Sequence, residues 1–172
     1  LGGLQNLIPY QNNLLLNLTT AGLIIFGGLG FLVILDILKK RSFRALALHS
    51  KVVIVMSAVL ILLGTLLLKA TENVTWLGAF FQSVSARTAG FSTYPIGSFT
   101  DAGLFVLILL MFVGASPGST GGGIKTTTLF ALLQATRSAA TGRMPTAFRR
   151  TVAGEVVQKA FIVTLLSAFV VC

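Results

Sequence analysis

The chain has 172 residues, of which 55% are hydrophobic and 10% charged, with a mean hydropathy of +0.92. A soluble domain carries about 25% charged residues, so this composition excludes a water-soluble globule and points to helices packed in lipid. The net charge of +9 would suit nucleic acid, but its placement in two short links argues for a membrane protein instead, and one Cys and one His exclude a disulfide framework or a Cys/His metal cluster.

Taken in chain order, the first apolar segment is 14 to 38, with Asp36 near its end. A span needs ~20 residues, so it is expected to cross as one helix. Gly22, Gly27, Gly28 and Gly30 are expected to serve close helix packing within it. Lys39, Lys40, Arg41, Arg44 and Lys51 fill the following link, and 52 to 68 is the second span. The next link, 69 to 101, balances Lys69 and Arg87 against Glu72 and Asp101.

Within that link, 76 to 87 reads as a short helix with Thr75 as its N-cap. Its length is about 18 Å, too short for a hydrocarbon core of ~30 Å. Gly90 and Pro95 disfavour helix in the stretch 88 to 95. A half-helix followed by extended backbone between two spans is the layout of a re-entrant pore loop. The plainer alternative is an amphipathic helix on the outer leaflet.

The third apolar segment starts at Ala102, is interrupted by Gly and Pro residues, and resumes around Ile124. From 102 to 115 a helix would run about 21 Å, and continued to 136 about 52 Å. A break in the middle reconciles both lengths with a bilayer. Arg137, Arg143, Arg149 and Arg150 then fill a basic link before the fourth segment, 156 to 172. Basic links face the cytoplasm, so 39 to 51 and 137 to 150 are assigned there and 69 to 101 outside. The chain starts without Met and stops inside an apolar run, and it is expected to be part of a larger polypeptide.

The chemistry expected of such a chain is backbone chemistry. A permeating cation trades its hydration shell for other oxygens, and extended backbone can supply rings of carbonyls. Gly90 can adopt backbone conformations closed to other residues. The half-helix ends at this point, so its negative dipole end favours a cation. Thr88 adds a hydroxyl. Arg87 is expected to point away from the path, pairing with Glu72, Asp101 or backbone carbonyls. Non-helical backbone at membrane depth is tolerated only inside protein or beside water, and a broken span is a pointer to a transport path. Lys125 is expected to tie the break to a carboxylate or to carbonyls elsewhere, or to reach for the cytoplasmic face. A Walker A reading fails, because Ile124 intervenes before Lys125 and Thr126.

Two motifs carry a resemblance. The first is Ser85-Ala86-Arg87-Thr88-Ala89-Gly90-Phe91-Ser92-Thr93. The second is Gly114-Ala115-Ser116-Pro117-Gly118-Ser119-Thr120-Gly121-Gly122-Gly123-Ile124-Lys125-Thr126-Thr127-Thr128. Together they closely resemble the Trk/Ktr/HKT superfamily of potassium uptake proteins, and most of all its KtrB branch. The resemblance implies an all-α integral membrane fold of membrane–pore-loop–membrane repeats around one pore, in the bacterial cytoplasmic membrane. On that pattern residues 1–51 are the end of one repeat, with one span and a basic link. Residues 52–136 are a complete span, pore loop and broken span, and 137–172 are a basic link and the first span of the next repeat.

The same resemblance places Thr88, Ala89, Gly90 and Phe91 in a selectivity filter. It makes Gly114, Ala115, Ser116, Pro117, Gly118, Ser119, Thr120, Gly121, Gly122 and Gly123, with Lys125, an intramembrane gating loop. It implies potassium held by filter carbonyls, sodium as a second ion, no organic cofactor and no enzymatic activity. Its implied partners are a second copy of the membrane subunit, a cytoplasmic nucleotide-binding regulatory ring of KtrA type and the lipid membrane, with no nucleic acid. Two other functions are open to the residues. An ion-coupled secondary transporter also uses discontinuous helices, but Asp36 and Asp101 lie at span ends rather than mid-span. A non-conducting scaffold subunit would not need a filter-like loop.

Overall fold

The computed structural model describes residues 6–87, 89–142, 146–147, 150–151 and 154–171. A short 3₁₀ turn, Ile8–Tyr10, precedes α1 (Leu14–Leu29) and α2 (Phe31–Lys40). A second turn, Phe43–Ala45, leads into α3 (Leu48–Thr71) and then α4 (Trp76–Ala86). A third turn, Ile96–Ser98, precedes α5 (Asp101–Phe112), and α6 (Thr126–Thr141) follows the Gly-rich stretch. A two-residue ribbon, β1 (Thr146–Ala147) and β2 (Arg150–Thr151), pairs antiparallel with Thr146 opposite Thr151, and α7 (Gly154–Val171) closes the chain.

Local sequence explains the helix starts. The Asn13 side chain accepts a hydrogen bond from Leu16 N, Thr75 from Gly78 N and Thr100 from Gly103 N. Each satisfies an amide that has no partner inside its helix. Glu72 adds to the third cap: its Oε1 accepts from Thr100 N at 2.8 Å and Thr100 Oγ1 at 2.6 Å. That places a carboxylate at the positive end of α5, where it is favoured. Gly103 leaves the room, since a side chain there would run into the Glu72 carboxylate.

Helix α3 is the axis of the fold. At 24 residues it is about 36 Å long, and among the described residues it is the one unbroken helix long and apolar enough to cross a bilayer. α4, α5 and α6 pack against it, while α1 packs on α4 and α6 on α7. One apolar cluster joins Leu68, Val74, Ala79, Phe99, Val106, Leu107 and Leu110; another joins Ala21, Ile61, Phe81 and Val84. Between them α3, α4 and α5 meet at Gly64, where an added side chain would collide with Ser83 Oγ and Leu110. Ser83 uses that approach to donate to Ile61 O at 3.0 Å. Large apolar side chains such as Leu62, Phe105, Ile108 and Phe169 face outward.

The segment 14 to 38 is not one continuous helix, which corrects the sequence expectation. α1 and α2 meet at Gly30 with a bend of 96°. Gly30 has φ +84° and ψ 148°, a region open essentially to glycine alone. Its α-carbon lies against the Gly-rich stretch, where a side chain would meet Pro117 O at 2.8 Å. Gly28 also sits against that stretch, where an added side chain would meet Ala115 Cβ at 3.9 Å, whereas Gly22 faces open space. Beyond the bend, Asp36 pairs with Lys40 at 2.8 Å and accepts from Ala47 N and Ser50 Oγ. These bonds fasten the end of α2 to the start of α3.

Candidate functional site

Helix α4 is a buried half-helix. Phe81, Ser83 and Ser85 are fully enclosed, and Gln82 and Val84 nearly so. The chain turns at its end, where Ala89 N and Gly90 N both donate to Ser85 O, at 3.0 and 3.1 Å. Gly90 has φ +73° and faces open space. Backbone then returns alongside α4. Ser85 Oγ donates to Phe91 O at 2.6 Å, and Ser92 Oγ to Tyr94 O. At the far end Tyr94 Oη accepts from Thr75 N at 3.3 Å, so the return strand is tied to both ends of the half-helix. Gly78 makes way for the Tyr94 ring. Leu7 N donates to Ser92 O at 3.1 Å, bringing the segment just before α1 against the same backbone. Ala89, Gly90 and Phe91 therefore lie on one turn; Thr88 lies outside the described residues.

The second site is the stretch 113 to 125 between α5 and α6. Its base is closed by a parallel bridge between Val113 and Ile124, with Ile124 N donating to Phe112 O at 3.0 Å and Thr126 N to Ala115 O at 3.4 Å. Gly114 and Gly123 permit this closure, because a side chain at either would strike the opposite backbone. The loop then docks on the bend between α1 and α2. Ser116 is fully buried, and its amide and hydroxyl both donate to Gly28 O, at 3.1 and 2.6 Å. Phe31 N donates to Gly118 O at 3.3 Å. Gly28 lies in the last turn of α1, whose carbonyls lack helical partners, and Phe31 opens α2, whose amides lack them. The loop thus satisfies both ends of the break it packs against. Its outer part is held internally, by Ser119 Oγ to Ser116 O at 2.6 Å and Gly121 N to Ser119 Oγ at 3.4 Å.

Two charged residues depart from expectation. Lys125 reaches neither a carboxylate nor another element: its Nζ donates to Gly121 O at 2.5 Å, within its own loop. Four residues of separation make that the short route for a half-buried ammonium. Arg87 does not pair with Glu72, whose Oε1 is taken by Thr100. Arg87 is buried, and its Nε and Nη1 have no hydrogen-bond partner among the described residues. Sequence reasoning left Ser85 out of the site, and it named Ser116 and Gly30 without foreseeing the partners they find. Ser85 and Ser116 were visible inside the motifs, but nothing local marks which carbonyl a serine will find.

A buried half-helix ending in a left-handed turn, and a docked loop that interrupts a second apolar segment, are the two features that set this largely helical fold apart. The comparisons give the family. The sequence profile of TrkH, described as a cation transport protein, matches residues 5–172. The chain belongs to this family. It is 36% identical over 178 residues to the Ktr system potassium uptake protein B of Vibrio alginolyticus, covering 95% of this chain and 39% of the relative. It is 37% identical over 176 residues to the potassium/sodium uptake protein NtpJ of Enterococcus hirae, covering 94% and 39%. The chain thus spans about two-fifths of the length of these relatives. Its fold matches the crystal structure of the potassium transporter TrkH from Vibrio parahaemolyticus with a TM-score of 0.63, at 24% identity, over 84% of this chain and 35% of that one.

Proposed function

We propose that this chain supplies one complete repeat of a potassium-selective pathway, with residues 88 to 91 as its share of the filter and 114 to 123 as a gate beneath it. The observation that carries the reading is the turn at Gly90. A glycine with φ +73° closes a buried half-helix and borders open space, so its backbone can face a path rather than a core. The carboxyl-terminal end of α4 points its negative dipole at that turn, which suits a cation. Potassium is favoured because relatives over nearly the whole chain are named for its uptake; sodium remains the second ion, since one relative is named for both. The other filters would come from the remainder of a longer protein. Residues 52–136 form the complete repeat, and the flanking parts 1–51 and 137–172 belong to its neighbours. A second copy of the subunit and a cytoplasmic regulatory ring would complete the assembly, with the basic links as the docking surface for the ring.

The test is Gly90→Ser in the complete transporter. A left-handed backbone costs a non-glycine residue about 1–2 kcal/mol, so the turn should relax away from its ion-lining form. Potassium and sodium uptake into vesicles should show a weaker preference for potassium, with folded, inserted protein. An unchanged ratio of the two ions would remove Gly90 from the filter.

A further inference from the structure

The filter reading leaves open which carbonyls face the ion and what fixes their pitch. Ser85 answers both. It sits in the last turn of α4 and is fully buried. Its carbonyl accepts from Ala89 N at 3.0 Å and Gly90 N at 3.1 Å, while its hydroxyl donates to Phe91 O at 2.6 Å. One residue therefore grips the turn on both sides of Gly90. Because Ser85 is enclosed, the Phe91 carbonyl that meets its hydroxyl is directed into the protein. Gly90, by contrast, borders open space. Among the described residues, no hydrogen-bond donor reaches the carbonyls of Ala89 or Gly90.

We propose that Ser85 is a positioning residue for ion selectivity, and that within the filter Phe91 is a strut whose carbonyl anchors the backbone while those of Ala89 and Gly90 face the ion. This rests on the filter reading above. Discrimination between two monovalent cations depends on where a small number of carbonyl dipoles are held and how freely they move. The Ser85 hydroxyl is the side-chain donor that holds the far side of the turn. Neighbouring hydroxyls are committed elsewhere: Ser83 to Ile61 O on α3, and Ser92 to Tyr94 O. Without the Ser85 bond the Phe91 carbonyl is free to swing, and the two ion-facing carbonyls lose their fixed spacing.

The test compares Ser85→Ala with Ser83→Ala in the complete transporter, reading the potassium-to-sodium uptake ratio in vesicles, normalised to inserted protein. Both serines are fully buried and both hydroxyls bond a backbone carbonyl, so a general packing loss moves both alike. Ser85→Ala should lower the ratio about two- to tenfold, the span of one hydrogen bond of ordinary strength; Ser83→Ala should leave it unchanged. Ser85→Cys, a weak donor of similar volume, should fall between wild type and Ala, and it carries the test if the Ala variant does not insert. Equal losses at 83 and 85 would overturn the specific role. An unchanged ratio in Ser85→Ala beside a shifted one in Gly90→Ser would overturn Ser85 and spare the filter. An unchanged ratio in both would overturn the filter reading too.

Discussion

Ser116→Ala probes the proposed gating loop at its contact with the bend between α1 and α2. The hydroxyl donates to Gly28 O at 2.6 Å from a fully buried position, and the Ser116 amide donates to the same oxygen at 3.1 Å. Removing the hydroxyl leaves the carbonyl with its amide partner, so no buried acceptor is orphaned. The loss is then one net hydrogen bond, about 0.5–1.5 kcal/mol. If the bond exists only while the loop is docked, the docked state loses that amount. Since 1.4 kcal/mol is tenfold, the open population rises about two- to tenfold. Potassium flux in vesicles bearing the complete transporter, held in its low-flux condition, should rise by that factor, with the potassium-to-sodium ratio unchanged because the filter is elsewhere. Gly30→Ala should act in the same direction and more strongly. It forces a side chain into a glycine-only region, at about 1–3 kcal/mol, against Pro117 O at 2.8 Å. Unchanged or reduced flux from Ser116→Ala in folded protein would refute the view that loop docking closes the path.

Two further outcomes follow from the packing. Deleting residues 119 to 122 removes the outer part of the loop and the Gly121 carbonyl that Lys125 holds, while sparing the Ser116 and Gly118 contacts with α1 and α2; flux should rise and depend less on the regulatory ring, whereas a loop that serves as the hinge of an alternating-access cycle would transport more slowly after the same cut. Gly64→Ala should lower stability by about 1–3 kcal/mol, the usual cost of overpacking, because its side chain meets Ser83 Oγ and Leu110 where three helices cross; thermal unfolding in detergent measures it, and an unshifted midpoint would deny that crossing.

The half-helix was legible because its signals are local. Thr75 caps it, Gly90 and Pro95 follow it, and its length is too short to span. The break in the third apolar segment was legible for the same reason, since Gly and Pro mark it in the chain itself. The bend at Gly30 was not. Apolar residues continue through it without Pro, and glycines in such a run read as packing sites. What makes it a bend is Ser116 and Gly118, in a loop far along the chain, which supply the partners its backbone needs. Side-chain destinations failed for the same cause. Lys125 found the nearest carbonyl, in its own loop. Arg87 is buried apart from Glu72, whose Oε1 caps α5 through Thr100.

The two breaks explain one another. In a low-dielectric surrounding each unpaired backbone group costs several kcal/mol, so neither a bent α1–α2 nor an interrupted α5–α6 would persist alone. Together, the loop gives Ser116 N and Oγ to the last turn of α1, and takes Phe31 N from the first turn of α2 onto Gly118 O. The loop's position and the direction of α2 are therefore one variable. α2 has 10 residues and ends in Lys39 and Lys40, with Arg41 as its C-cap. Asp36 fastens that end to Ala47 and Ser50 at the start of α3. On the gating reading, a partner bound to the basic link need not reach into the membrane. Turning a helix about 15 Å long displaces Phe31 from Gly118, and with it the loop. On the proposed repeat boundaries that lever lies in the repeat before the loop it moves, which would give the bend at Gly30 a purpose that helix packing alone does not.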